Sequence, residues 1–215
     1  MPTLALEFSS NRRSVAVLAP SGEAVAMNAD REKSTRAFAL IEEALRGARV
    51  GRNEIQCIAV GLGPGSYTGI RVAISIAQGW QLARNVKLLA VSTADVLAES
   101  ARGHGMKGRA TCVIDAQRKE FYVATCDLGV NPARIIETLH LETTQRLAER
   151  QARGEALFGP EENLHGNRVV FPDALVLARL AAGRTDFLRG EQLEPIYLRE
   201  TSFVKAPPAR VSSAA

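Results

Sequence analysis

The chain has 215 residues, 46% hydrophobic and 5% aromatic, with a formal charge of +4 and a pI near 9.2. No run approaches the roughly 18 consecutive apolar residues of a membrane span, and Glu7 interrupts the short apolar run near the N-terminus, which lacks the basic segment of a secretory signal. The excess charge is scattered arginine rather than a basic tail, and Cys57, Cys112 and Cys126 have no Cys-x-x-Cys spacing, so they read as small buried hydrophobes in a cytoplasmic protein.

In chain order, strand-like runs at Thr3 to Phe8, Ser14 to Leu18 and Ala24 to Met27 are separated by turn-forming Ser-Asn-Arg-Arg and Pro-Ser-Gly, which predicts a meander. Ser34 is placed to cap a helix carrying Ala37, Phe38, Ile41, Ala44 and Leu45 at helical spacing, with Gly47 just past its end. Ile58 to Val60 reads as a short buried strand, Ile70 to Arg84 as a helix, Leu88 to Val91 as a strand and Thr93 to Ala101 as another helix. Gly103-His104-Gly105 marks the expected boundary between two lobes, 1–103 and 104–205. In the second lobe, Ala110 to Ile114 and Phe121 to Thr125 look like paired strands, Gln145 to Ala152 like a polar helix and Asp173 to Ala182 like an apolar-faced one. Residues 206–215, with Pro207-Pro208 ahead of small polar residues, read as a disordered tail. Strands then helix, twice over, indicate a mixed α/β chain.

The densest local signal is the run from Gly61 to Arg71, a strand-to-helix turn where backbone amides gather at a positive helix end. It is neither of the common phosphate loops. A Walker A loop needs Lys after its last glycine, where this chain has Ile70, and a dinucleotide loop needs a third glycine where it has Ser66. The spelling Gly61, Gly63, Pro64, Gly65, Ser66, Tyr67, Thr68, Gly69 and Arg71 resembles the G-x-G-P-G-S-[FY]-T-G-x-R signature of the TsaB (YeaZ) family, relatives of the tRNA-modifying protein TsaD. Further landmarks fall in the family's order: Leu4 to Ser10 with Ser14 to Leu18, Val91-Ser92-Thr93, Val113 to Tyr122, and Pro195-Ile-Tyr-Leu-Arg199.

The resemblance implies two RNase-H-like lobes of the actin and Hsp70 ATPase superfamily. It implies a non-catalytic dimerisation and activating subunit for the machinery that forms N6-threonylcarbamoyladenosine at adenosine 37 of ANN-decoding tRNAs. TsaD would hold the metal and transfer the group, and TsaE would supply an ATPase cycle. The chain would pair with TsaD or with a second copy of itself and meet tRNA only through the complex. It would have no cofactor of its own, with room for an adenine nucleotide at the complex interface.

Superfamily ATPases use a carboxylate in each lobe's first hairpin to help hold Mg²⁺, and the matching positions are Glu7, Ser9, Ser10 and Asp115. Glu7 is one methylene longer than the family's usual Asp, so these four are expected to be a vestigial nucleotide site. No metal site is expected: the region from Glu32 to Phe38 has no histidine, Lys33 stands where many family members keep one, and His104, His140 and His165 share no spacing. Ser66 lacks the Gly-x-Ser-x-Gly context of a nucleophile and, with Thr68, reads as a helix cap. Arg12-Arg13 and the spaced Arg46, Arg49 and Arg52 are expected to be solvated charges rather than a nucleic-acid surface. A working ATPase or small-molecule kinase, a peptidase and a homodimeric scaffold remain as alternatives.

The helix after the signature has scarcely any polar face, which predicts a covering partner. The expected partner surface is Phe38, Ile41, Ile70, Ala73, Ile74, Ala77 and Trp80, with Ala77→Arg as the substitution that would leave a folded monomer.

Overall fold

A computed structural model describes residues 1–30 and 37–198. Ser34, Lys33, most of the Glu32 to Phe38 region, Arg199 and the 206–215 tail lie outside the described residues. In the first lobe, β1 (Thr3–Glu7), β2 (Arg12–Leu18) and β3 (Ala24–Asp30) form the expected meander, followed by α1 (Ala37–Ala48), β4 (Cys57–Gly61), α2 (Tyr67–Arg84) and β5 (Lys87–Val91). The sheet order is β3-β2-β1-β4-β5, with β1 to β3 antiparallel and β1, β4 and β5 parallel.

The second sheet repeats this plan. From β6 (Arg109–Asp115), β7 (Glu120–Asp127), β8 (Arg134–Thr143), β9 (Leu157–Gly159) and β10 (Asn167–Val169) it builds the order β8-β7-β6-β9-β10 with the same strand directions. One helix, α4 (Thr144–Ala152), joins its third and fourth strands as α1 does in the first lobe. Residues 160–166 join β9 to β10 without a counterpart of α2, which is why this lobe is smaller. The duplicated topology is the two-lobed RNase-H-like architecture expected from the resemblance.

Period-two alternation decides which helices cover which face. Leu4, Leu6, Val15, Val17, Ile58 and Val60 point to one side and bury Leu40, Ile41 and Ala44 of α1 and Ile70, Ala73 and Ala77 of α2. Ala5, Ala16 and Ala59 point to the other, and their small side chains admit α5 (Ala174–Ala181) through Ala174, Leu177, Ala178 and Ala181. Asp173 starts α5 by accepting from the amides of Leu175 and Val176, and the Ser14 hydroxyl accepts from Ala174 N–H at 2.9 Å. Between the sheets, α3 (Thr93–Gly103) gives Val96 to the first lobe and Ala94, Leu97, Ala98 and Ala101 to the second.

Two expectations on organisation are corrected. The second lobe does not run from 104 to 205: α5 packs on the first sheet, Leu188 bridges Leu88, and Ile196 N–H donates to Leu62 O at 2.8 Å, so the chain returns to the first lobe. Gly47 lies inside α1 rather than beyond it, and a side chain there would press on Val25 of β3.

Candidate functional site: a clamped signature loop between a groove and a cleft

The signature loop serves close packing. Ser66 N–H donates to Ser9 O at 2.6 Å, drawing the loop onto the β1–β2 turn, and at Gly65 and Gly69 a Cβ would strike the carbonyls of Ser9 and Phe8. Ser66 caps α2 by accepting from Gly69 N–H at 3.4 Å, as read from the sequence. Gly63 closes the loop against α3, its N–H donating to the Thr93 hydroxyl at 3.1 Å and its carbonyl accepting from Thr93 N–H at 2.8 Å.

Beneath this clamp lies Glu7, with no solvent exposure. Its carboxylate accepts from Ser9 N–H at 3.0 Å and from the Thr93 hydroxyl at 3.4 Å, and at Gly61 any side chain would collide with it. Burial pushes its pKa up against the pull of the bonds from Ser9 and Thr93. Ser10 is spent locally, donating to Arg12 O at 2.9 Å. Asp115, at the end of β6, holds Gln117 through its amide and side chain, both at 2.7 Å. Of the four residues expected at a nucleotide site, Asp115, Ser9 and Ser10 line a cleft of about 660 Å³ between the lobes, and Glu7 is sealed off from it.

Tyr67 stands where two concavities meet. Its ring stacks on Tyr197 at 5.3 Å between centroids, and the Arg71 guanidinium lies 4.5 Å from the Tyr67 centroid. Two landmarks 130 positions apart in the chain, the signature and the Pro195 to Arg199 motif, are thereby brought into one assembly. On one side is the interlobe cleft; on the other, a groove of about 590 Å³ is lined by Phe38, Tyr67, Thr68, Arg71, Val72, Ser75, Ile76, Gly79 and Trp80. Its apolar residues lie on the outer face of α2 and the adjoining α1, with Phe38 68% exposed.

The expected partner surface needs correction at five of seven positions. Ile41, Ile70, Ala73, Ile74 and Ala77 face the first sheet and are enclosed in the chain's own core, whereas Phe38 and Trp80 face the groove. Helical spacing explains the division: 70, 73, 74 and 77 form the buried stripe, and 72, 76, 79 and 80 a flanking one that reaches the groove. Ala77→Arg would therefore place a charge in the core. Glu161 and Asn163 of the cleft went unread in the sequence, although Gly159-Pro160 after a strand echoes the Gly-Pro of the signature.

Other candidates are dispersed. His104 caps α3, with its ring 2.8 Å from Ser100 O; His140 on β8 lies 3.0 Å from Glu142; His165 is in the β9–β10 connection. Among the described residues, no three His, Cys, Asp or Glu side chains gather as a metal site. Cys57, Cys112 and Cys126 are buried, and desolvation lifts the Cys57 and Cys126 thiols to about 11 and about 12. Arg12 and Arg13 lie over the rings of Phe171 and Phe8, and Arg52 pairs with Glu42 at 2.6 Å. Among the described residues, no helix is long and apolar enough to cross a membrane.

The family model described as TsaD, tRNA N6-adenosine threonylcarbamoyltransferase, matches residues 11–173. The tRNA threonylcarbamoyladenosine biosynthesis protein TsaB of Haemophilus influenzae is 30% identical over 95% of this chain and 96% of its own length. The chain belongs to the TsaB (YeaZ) family. TsaB of Escherichia coli is 34% identical over 44% of this chain and 41% of its own, a 94-residue match. YeaZ from Pseudomonas aeruginosa superposes with a TM-score of 0.77 at 28% identity, covering 92% of this chain and 99% of that one.

Proposed function

We propose that this chain is the TsaB-type subunit in the formation of N6-threonylcarbamoyladenosine on tRNA, and that it acts by docking rather than by chemistry. Membership of the TsaB family supports the biosynthetic role. The observation that carries the docking role is the groove outside α2: Phe38 and Tyr67 stand exposed beside Arg71 and the half-buried Val72, Ile76 and Trp80, a composition suited to a protein partner. The partner in this reading is a TsaD-like catalytic subunit, joined by a TsaE-like ATPase, and a second copy of the chain takes the same groove when the chain is alone. Binding stabilises one conformation of the catalytic subunit, which requires only that contacts with the groove differ in energy between its states. tRNA is met through the complex, in the cytoplasm.

The chain carries no nucleotide of its own in this reading. A Mg²⁺-bound phosphate would need the first-lobe carboxylate, and Glu7 is enclosed and bonded to its own lobe. Among the described residues, the ionisable side chains that reach the cleft besides tyrosine are Asp115 and Glu161, so no cationic side chain faces a phosphate there. The four matching positions therefore do not fit the group that the superfamily's ATPases hold there.

Reconstitution with TsaD-like and TsaE-like proteins, threonylcarbamoyl donor and unmodified tRNA tests the proposal. Modification is expected to depend on this chain, and equal modification without it would overturn the role.

A further inference from the structure

Arg71 stands at the signature end of the docking groove, exposed and, among the described residues, in no ion pair. The first turn of α2 carries no acidic residue that could neutralise it. An exposed arginine ordinarily samples many rotamers, yet this one is confined. Its guanidinium lies over the Tyr67 ring, and that ring is stacked on Tyr197 with 26° between the planes. Arg71 also reaches Tyr197 itself: burial raises the Tyr197 phenol pKa, and the Arg71 charge works against that rise.

Tyr197 is in turn fixed by its own segment. Residues 188–197 run beside α2: Gln78 Nε2 donates to Gly190 O at 2.8 Å, Gly190 N–H donates to Gln81 Oε1 at 2.7 Å, and Leu193 is buried in the first-lobe core. The bond from Ile196 N–H to Leu62 O then delivers the next ring to Tyr67. Tyr197 lines the cleft and not the groove, so any effect it has on docking passes through Tyr67 and Arg71.

We propose that the Tyr197–Tyr67 stack is a positioning device that fixes the Arg71 guanidinium for a carboxylate on the docked catalytic subunit. The proposal rests on docking through the groove and names the chemistry of the contact at its charged end. Once a partner covers Phe38, Val72 and Ile76, an ion pair at Arg71 is shielded from water and screened less than one on open surface. The rotamer freedom that binding would otherwise remove from Arg71 is already restricted by the two rings.

Calorimetric titration with the TsaD-like subunit in nucleotide-free buffer, so that the anion must come from the subunit, tests this at low and high NaCl. Arg71→Gln is expected to weaken binding at least fivefold at low salt and to flatten its dependence on salt. Tyr197→Ala, checked for a folded chain by its melting transition, is expected to weaken binding at least threefold with the same flattening, and Tyr197→Phe to bind within twofold of the parent. In the Arg71→Gln background, Tyr197→Ala is expected to add less than twofold, whereas a ring that only packs would cost the same in both backgrounds. Undiminished binding or an unchanged salt dependence in a folded Arg71→Gln chain, Tyr197→Phe as weak as Tyr197→Ala, or a Tyr197→Ala loss that persists in full without Arg71 would each overturn the proposal. If Ile76→Arg still abolishes binding, such a result leaves the docking role standing; full binding by Ile76→Arg would remove that role and the proposal with it.

Discussion

The two lobes share a strand order and differ in what lies over the end of their first strand. Glu7 closes β1 and Asp115 closes β6, and each carboxylate accepts the backbone N–H two residues on, at 3.0 Å and 2.7 Å. At the ends of the fourth strands, Gly61 and Gly159 both lack room for a side chain, the first against Glu7 and the second against the Val113 carbonyl. In the first lobe, the signature loop and the start of α2 then fold back over the turn and bury Glu7. In the second lobe no helix follows β9; Glu161 reaches the Asp115 amide, and Asp115 stays half-exposed in the cleft. A repeated topology thus yields one sealed carboxylate and one open one, and the loop after the fourth strand makes the choice.

The largest effect expected in this comparison is at the packed face of α2. Ala77→Arg forces a cation against the first sheet and is expected to cost about 4 kcal/mol or more, seen in urea unfolding as loss of the folded chain. A stable, folded Ala77→Arg monomer would show that the outward and inward faces of α2 have been assigned the wrong way round.

The second lobe has its own anchor in Arg150, almost wholly buried, which meets Glu142 at 2.8 Å, Glu155 at 2.9 Å and Glu137 at 3.3 Å. Arg150→Met leaves these acids without their shared cation and is expected to cost about 3 kcal/mol, measured by the same unfolding assay. A loss below about 1 kcal/mol would place the second lobe's stability in its small apolar core instead.

One carboxylate in each lobe, Glu142 and Glu7, should also respond to pH with opposite signs. The Arg150 bond holds the Glu142 carboxyl below its ordinary range, so its contribution is present above that range and lost as pH falls through the lowered folded value. Burial raises Glu7, so the folded state holds its proton more tightly than the unfolded one does; stability from Glu7 is present at acid pH and lost as pH rises from the ordinary carboxylate range through the raised folded value. Glu7→Gln is therefore expected to flatten that upper slope in melts taken across the pH range. An unchanged slope in Glu7→Gln would mean that the carboxylate is not sealed.

Much of this was legible in the sequence, for identifiable reasons. The glycines of the signature fitted no phosphate-loop spelling and so had another task, which the structure shows to be the close approach to Ser9 and Phe8. The meander read cleanly because β1 and β2 alternate in side-chain size, and α5 was legible by its apolar face, with Asp173 proving to be its cap. Three features resisted. β8 pairs with β7 through register shifts between Val123 and Cys126 and is buried on neither face throughout, so its alternation is blurred. β9 and β10 have three residues each, too few for a period. On α2, apolar residues occupy both faces, and composition outweighed spacing: the 70-73-74-77 stripe is the core and the 72-76-79-80 stripe is the free surface.

That free surface is best tested at Ile76, which lines the groove and is only partly buried. In the reconstituted tRNA modification assay, Ile76→Arg, which gives up part of its packing on the first-lobe core, is expected to stay folded with a modestly lower melting temperature while losing co-elution with the TsaD-like subunit and at least tenfold of the modification rate. A folded Ile76→Arg chain that co-elutes and supports the full rate would contradict docking through the groove outside α2.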